Sequence, residues 1–479
     1  MTSNSPIETK RTPGLALVVL LLGAFMALLD TTIVNVAIPT IQTGLHASDA
    51  TISWVVSGYV LAFGLVLIPA GWIGDRTGHR IVFITGMALF TAASLACGLA
   101  SSQSWLVTAR IVQGIGGGLT FTPVTALIQV MFTGRARGRA FSFMGAVIGF
   151  ATALGPLAGG LIIAGFGNDH GWRYVFGVNV PLGIVALLAA PFFLPARQPD
   201  TRRAAADWIG LLLLTTGLIA LIVPLIQGQQ NGWPWWTFTS LIGSVLLLVG
   251  FLLWERRVEG SGQLPLIPPH LLARGSFTGG VILAAVYFAA FTSIFFTLSI
   301  LWQTGLKHSA LATGILLLPF AVASIAGAST SDSLAARYGR SVLTLGLALV
   351  AAGITAIWII LLTVPVTTLN GWQLTAPLLI AGLGGGLFIA PNVDFIVAGV
   401  NPTEAGTASG IVGTAQRIGS AIGIAIMATV LFGTLNFTNR PDAVPLAFTH
   451  SATYAMAVSA AFAIAAFALV FTLPRTTTT

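Results

Sequence analysis

Fourteen apolar segments follow one another along this chain, at about residues 14–38, 51–72, 80–100, 104–131, 138–164, 171–195, 206–226, 237–256, 275–303, 309–333, 340–364, 371–399, 404–433 and 450–473. A helix needs about 20 apolar residues to cross a bilayer core, and each segment is near or above that length. A backbone in lipid must satisfy its own N–H and C=O groups, so segments of this kind read as helices. Only 7% of the 479 residues are charged and 56% are hydrophobic, whereas a soluble domain carries about 25% charged residues. The reading is an all-α polytopic membrane protein. Lys10 and Arg11 precede the first segment, but that segment runs past Asp30 to Ile38. It is therefore read as a span rather than a cleaved leader.

Lysines and arginines set the expected orientation. With a cytoplasmic N-terminus, sixteen of them lie in inner loops and three (Arg173, Lys307 and Arg440) in outer loops. That bias obeys the positive-inside rule, and it is reached with fourteen spans and both termini inside. The net charge of +8 thus reads as topology, and no nucleic-acid partner is expected. Cys97 is the only cysteine and the six histidines are scattered, so no disulfide and no metal site is expected. Neither Lys10 nor Lys307 follows a glycine, and there is no G-x-S-x-G elbow. The chain lacks a P-loop and a nucleophile motif; the reading is not an enzyme and takes no cofactor.

The two ends of the chain repeat each other. Residues 111–123 (IVQGIGGGLTFTP) and 379–391 (LIAGLGGGLFIAP) align without gaps at a shift of 268, which continues through Gly138, Ala140, Gly145 and Gly155 onto Gly406, Ala408, Gly413 and Gly423. Small residues pack helices closely in membranes, yet a register kept over two helices and a loop argues for duplication. A second echo pairs GDRTGHR (74–80) with AARYGRS (335–341), where Ala336 stands opposite Asp75. Spans four and twelve run in the same direction, so the repeat is parallel, with a site expected between the halves. The expected units are a six-helix bundle at 1–196, a two-helix insertion with cytoplasmic linkers at 197–272, and a second six-helix bundle at 273–479.

Asp30 interrupts the first span within LLDTTIVNVAIP (28–39). An ionised carboxylate at mid-membrane costs roughly 2.5–3.5 kcal/mol on insertion scales. Arg110 in span four lies about 9 Å below the outer end, against about 12 Å for Asp30. Two readings stand: a protonatable acid whose affinity for a proton Arg110 sets, or a fixed ion pair tying spans one and four together.

LDTTIVNVAIP (29–39), GWIGDRTGHR (71–80), ARIVQGIGGG (109–118), LGPLAGG (154–160) and WRYVFGVNVPLG (172–183) resemble, in order, motifs of the fourteen-span drug:proton antiporters of the major facilitator superfamily. The resemblance covers nearly the whole chain. His79 departs from it, standing where that family usually has a basic residue. The resemblance implies the major facilitator fold, two six-helix bundles plus two central helices. It implies a proton-coupling pair in Asp30 and Arg110, and a cytoplasmic gate in Asp75, Arg76 and Arg80; a tight glycine turn with solvated charges is the plainer reading of that loop. It further implies an antiporter motif in Gly155, Pro156, Gly159 and Gly160 that lets span five pack closely and bend.

Substrate contacts are expected from the remaining polar and aromatic groups within spans: Asn35, Trp54, Tyr59, Asn179, Tyr287, Gln303 and Asn392. An aromatic pocket with a carboxylate suits flat organic cations. Asp394 is the second acid at membrane depth, read as a cation or proton site or else as a helix cap near the cytoplasm. Arg417, near mid-membrane, is read as a neutraliser of Asp394, a repeller of cations or a structural group. The WPWW run (233–236) reads as an interfacial anchor.

The expected function is proton-driven export of small amphipathic or cationic drugs across the cytoplasmic (inner) membrane, with a small-molecule substrate, protons and membrane lipid as partners and the proton gradient as the only energy source. Other readings are transport of a specific metabolite, antibiotic or lipid, and a membrane receptor that moves nothing. No long periplasmic domain is visible for a periplasmic adaptor to hold.

Overall fold

Apolar runs of this length fold as helices, and the computed structural model, which describes residues 13–47, 49–167, 169–195, 207–228, 232–261, 265–397, 400–401, 404–435 and 443–473, contains only helices and their connections among them. The first half is α1 (Pro13–Gly44), α2 (Asp49–Thr77), α3 (His79–Gly98), α4 (Gln103–Met131), α5 (Gly134–Phe166), α6 (Gly171–Gly177) and α7 (Asn179–Phe193). A hairpin of α8 (Trp208–Gln227) and α9 (Trp235–Gly260) follows, then the short α10 (Pro269–Ala273). The second half is α11 (Gly275–Ile300), α12 (Ala310–Tyr338), α13 (Ser341–Thr363), α14 (Gly371–Val397), α15 (Ala405–Gly433) and α16 (Ala443–Leu469). Among the described residues, thirteen stretches are long and apolar enough to cross a membrane, α6 and α7 counting as one, and α5 makes a fourteenth as a bent span.

Two prolines account for departures from unbroken spans. α5 bends by 41° between Thr152 and Leu154. Pro156 cannot donate to the Thr152 carbonyl, and its ring crowds that oxygen. The expected span at 171–195 breaks at Val178 into α6 and α7, where Pro181 leaves the Gly177 carbonyl without its i+4 donor. The break places Asn179, fully buried, at the first turn of α7. α1 runs on to Gly44, while its membrane-crossing stretch ends at the expected Ile38.

The duplicated glycines are close-packing positions. A Cβ on Gly116 would fall 2.5 Å from the Phe90 nitrogen of α3, and one on Gly118 2.8 Å from the Phe63 carbonyl of α2. Their repeat mates behave alike: a Cβ on Gly384 would fall 2.7 Å from the Val350 nitrogen of α13, and one on Gly386 2.6 Å from the Ala328 nitrogen of α12. So α4 lies on α2 and α3 as α14 lies on α12 and α13. α1 packs on α5, and α11 on α15; between the halves α2 meets α15 and α5 meets α12.

In the hairpin, α8 touches α2 and α15. Ile242, Leu246, Val249 and Leu253 of α9 are 49–68% exposed. Their helical spacing makes one apolar stripe, the face a span turns to lipid. Trp235 is exposed at the hairpin tip, but Trp233 turns inward and donates its indole N–H to Thr429 Oγ1 of α15 at 3.1 Å.

Candidate functional site

Asp30 is completely buried, enclosed by α1, α4 and α7. Its carboxylate accepts a short bond from Arg110 Nη1, one from Gln113 Nε2 at 2.9 Å and one from Asn179 Nδ2 at 3.0 Å. Arg110 is 1% exposed; its Nε donates to the Val55 carbonyl at 2.9 Å and its Nη1 also to Gln113 Oε1 at 2.7 Å. Gln113 Nε2 reaches Ser94 Oγ at 2.8 Å. A buried charge pair is tolerable only when its hydrogen bonds are met in this way, and removing one partner of such a pair costs about 3–5 kcal/mol. The Tyr59 ring lies under the Arg110 guanidinium at 4.2 Å while its hydroxyl donates to the Ala27 carbonyl at 2.7 Å. Gln113 stands three residues from Arg110 on the same helix face; that spacing, inside ARIVQG, was the available signal for it.

A separate cavity of about 90 Å³ lies between the halves. α1, α4 and α5 line it with Leu28, Thr31, Thr32, Phe121, Ile148 and Thr152. α11 and α15 contribute Phe288, Phe291, Thr292, Gln416, Arg417 and Ser420. Asp30 faces away from it into the first bundle. Arg417 stacks over Phe63 at 4.2 Å, and Phe63 in turn neighbours Tyr59 with ring centroids 5.9 Å apart. A larger, shallow groove beside Trp105 opens on the outer surface of α3 and α4, where lipid would lie.

The third feature closes the end of the molecule that carries the 2–3 connection. Asp75 accepts bonds from the Gly406 and Thr407 backbone N–H groups and from Thr407 Oγ1, all at 2.8 Å. It thus caps the N-terminus of α15, where unpaired N–H groups and the helix dipole favour an anion. His79 Nε2 lies 3.2 Å from Asp75. Arg76 stacks on Trp72 at 3.6 Å, and Arg80 is half-buried in the first turn of α3. Around this contact Gln129 Nε2 donates to the Val397 and Val400 carbonyls at 3.0 and 3.3 Å, and Ser142 and Ser331 share a 2.8 Å bond.

Several expected positions are corrected here. Asp394 is outside the cavity, paired with Arg137 of α5 at 2.7 Å on the gate side. Arg417 therefore neutralises no Asp394, and the expected aromatic pocket with a carboxylate has a guanidinium instead. The acid missing opposite Asp75 is displaced by one turn: Asp332 of α12 lies 3.6 Å from Arg139 and against Gly138, the repeat mate of Gly406. Asn179 and Tyr59 join the Asp30 cluster. Tyr287 is buried against Phe388 and reaches the cavity through Phe291, with ring centroids 4.5 and 5.8 Å away. Asn392 donates to the Gly280 carbonyl at 3.4 Å. Asn35 is exposed on α1, Trp54 half-buried near the start of α2, and Gln303 half-buried in the π turn Leu301–Gly305; none of them lines the cavity.

Gly155 and Gly159 set α5 directly on α1. A Cβ on Gly155 would fall 2.9 Å from the Ile33 nitrogen, and one on Gly159 2.9 Å from the Ile33 carbonyl. Gly160 faces Leu311 of α12 at 3.8 Å, an ordinary contact.

Two helical bundles meeting around a central cavity, with a buried ion cluster in one and a polar contact joining them at one end, are the architecture of a multi-pass membrane protein. The chain belongs to the Major Facilitator Superfamily, whose family model matches residues 20–208 and 203–424. It is similar to the probable actinorhodin transporter of Streptomyces coelicolor, 36% identical over 423 residues covering 88% of this chain and 72% of that one. It is also similar to the tetracenomycin C resistance and export protein of Streptomyces glaucescens, 31% identical over 435 residues covering 88% of this chain and 76% of that one. Among solved structures, the human organic anion transporter MFSD10 (TETRAN) superposes with a TM-score of 0.68 at 15% identity, covering 96% of this chain and all of that one; that likeness concerns the fold alone.

Proposed function

We propose that the protein is a proton-coupled exporter of small amphipathic molecules, working by alternating access in the cytoplasmic membrane with both chain ends in the cytoplasm. The observation that carries the reading is the buried Asp30 cluster, a carboxylate at membrane depth held by Arg110, Gln113 and Asn179. Ionisable groups inside membranes mark ion and proton pathways. A proton on Asp30 removes the charge that holds Arg110, leaving the cation to its bonds with Val55 and Gln113 and to the Tyr59 face. The proton gradient supplies the energy, without a cofactor. The sixteen cations of the expected inner loops support a cytoplasmic position for the Asp75 contact; on this reading the arrangement described is closed toward the cytoplasm. Relatives whose names describe resistance to or export of an antibiotic support the export direction. Their naming for single compounds favours a second reading in which the cargo is one antibiotic or metabolite rather than many drugs.

The test is reconstitution in liposomes with an imposed pH gradient, following internal pH as a panel of organic anions, cations and neutral drugs is added to wild type and Asp30→Asn. Proton movement that needs both a substrate and Asp30 is the expected result. Substrate flux unchanged in Asp30→Asn would overturn the role given to this residue.

A further inference from the structure

Arg417 stands near the middle of α15, beside Gly64 of α2, and lines the central cavity as a half-buried residue. Among the described residues no carboxylate lies within ion-pair distance of it, and no hydrogen-bond acceptor is assigned to it. The buried and half-buried acids of the two halves are committed elsewhere: Asp30 to Arg110, Asp394 to Arg137, Asp75 to the start of α15. What Arg417 has is an aromatic face, the Phe63 ring at 4.2 Å. A cation among membrane helices is otherwise paired or wetted, and a guanidinium offers a planar fork of N–H donors matched to a carboxylate.

The rest of the lining suits the same ligand. Phe121, Phe288 and Phe291 provide flat apolar walls, and Thr31, Thr152 and Thr292 add hydroxyls to the lining. Among the described residues no acidic side chain lines the cavity, so an organic cation would meet the repulsion of Arg417 with no carboxylate to offset it.

We propose that Arg417 is the anchor of an organic-anion site, and that the cargo is a planar aromatic compound carrying an ionised carboxylate or an acidic phenol. This deepens, and rests on, the reading of the chain as an exporter. The anion takes the forked N–H donors of Arg417, and its rings lie among the phenylalanines. A cavity of about 90 Å³ is below the roughly 300–1,000 Å³ of drug-sized sites, so binding requires the two halves to part around Arg417.

The experiment uses three fluorescent probes of one shape and different charge: 9-anthracenecarboxylate, its methyl ester and 9-(aminomethyl)anthracene, titrated at pH 7.5 into the detergent-purified full chain. The carboxylate is expected to bind more tightly than the ester, and the ester more tightly than the ammonium. Arg417→Gln is expected to cut the carboxylate-to-ester affinity ratio about ten- to a hundred-fold, the worth of hydrogen bonds to a charged group, with Arg417→Lys in between. Taking the ratio within each variant cancels any loss of folded protein. Equal affinities for carboxylate and ester, tighter binding of the ammonium, no binding of the carboxylate, or a ratio unmoved by Arg417→Gln would each overturn the proposal. Arg417-dependent carboxylate binding without proton-linked flux in liposomes would leave the site standing and sink the coupled-exporter reading. Proton-linked flux of the ammonium alone would do the reverse.

Discussion

Removing the negative charge of Asp75 while keeping its shape should loosen the proposed gate by an amount set by its contacts with the first turn of α15. The carboxylate takes three bonds of 2.8 Å from the first turn of α15, one through Oδ1 and two through Oδ2. Asparagine has a single acceptor oxygen, so at best two of the three survive. A bond to a charged group is worth about 1.5–3 kcal/mol, and the charge on the helix end about 0.3–1 kcal/mol more. Asp75 is only 9% exposed, so solvent screening takes little away. Asp75→Asn should therefore cost the closed state about 2–4 kcal/mol, a roughly 30- to 700-fold fall in the ratio of closed to open molecules. Spin labels at Thr77→Cys and Tyr338→Cys, exposed at the gate ends of α2 and α12, read the separation by pulsed electron resonance, with Cys97 buried and unlabelled. The expected result is a new long-distance population in Asp75→Asn. A distance distribution identical to the parent in a variant that melts like the parent would refute the reasoning.

Gly155→Ala should lower the melting temperature, because its Cβ would fall 2.8 Å from Thr32 Cβ and overpacking of this kind costs about 1–3 kcal/mol; an unchanged melt would mean that α1 and α5 separate freely there. Asp394→Asn should leave affinity for every transported compound intact, since its pair with Arg137 has side chains 34% and 23% exposed and such pairs are worth about 0–1 kcal/mol. Loss of ligand binding in titrations of that variant would return Asp394 to the substrate site. If the cargo is an anion exchanged for protons, each cycle moves more charges than protons. An inside-negative potassium diffusion potential should then speed export from right-side-out liposomes, and a rate indifferent to that potential would count against an anionic cargo.

Much of the fold was legible because lipid imposes one rule on every span. Apolar length marked the helices, and charge bias in the loops set their expected direction. The Gly116–Gly384 and Gly118–Gly386 pairs were visible as a repeat because helix contact at backbone distance admits no other residue. The Asp30–Arg110 juxtaposition was readable from depth alone. The rest needed three dimensions. Nothing in the sequence says which face Asp394 presents, so its partner Arg137, counted there only as a topological cation, was invisible. Asp332 escaped because an ungapped comparison looks for an acid at 336, while a helix can move its side chain by one turn and meet the same neighbour. Asn179 could be read as polar lining but not as a ligand of Asp30, since that depends on the break which Pro181 imposes two residues later.

The three features lie along one helix. Tyr59, Phe63 and Asp75 of α2 touch respectively Arg110, Arg417 and the start of α15. Sixteen residues from Tyr59 to Asp75 span about 24 Å of helix. Two of these contacts, at Phe63 and Asp75, are made with the same partner, α15, across the boundary between the halves. At Gly71 the fit is so close that a Cβ would strike the Gly406 carbonyl. Unless the pivot lies at Phe63 itself, parting the α2–α15 seam at Asp75 also draws Arg417 away from Phe63. A ligand shifts an equilibrium only by its differential affinity for the two states. For an anion seated on Arg417 as proposed, that difference arises where opening frees the guanidinium from the Phe63 ring. If Arg417 anchors an anion, cargo charge and the Asp75 contact are linked through α2 and α15, and Tyr59 joins the same helix to Arg110 of the Asp30 cluster.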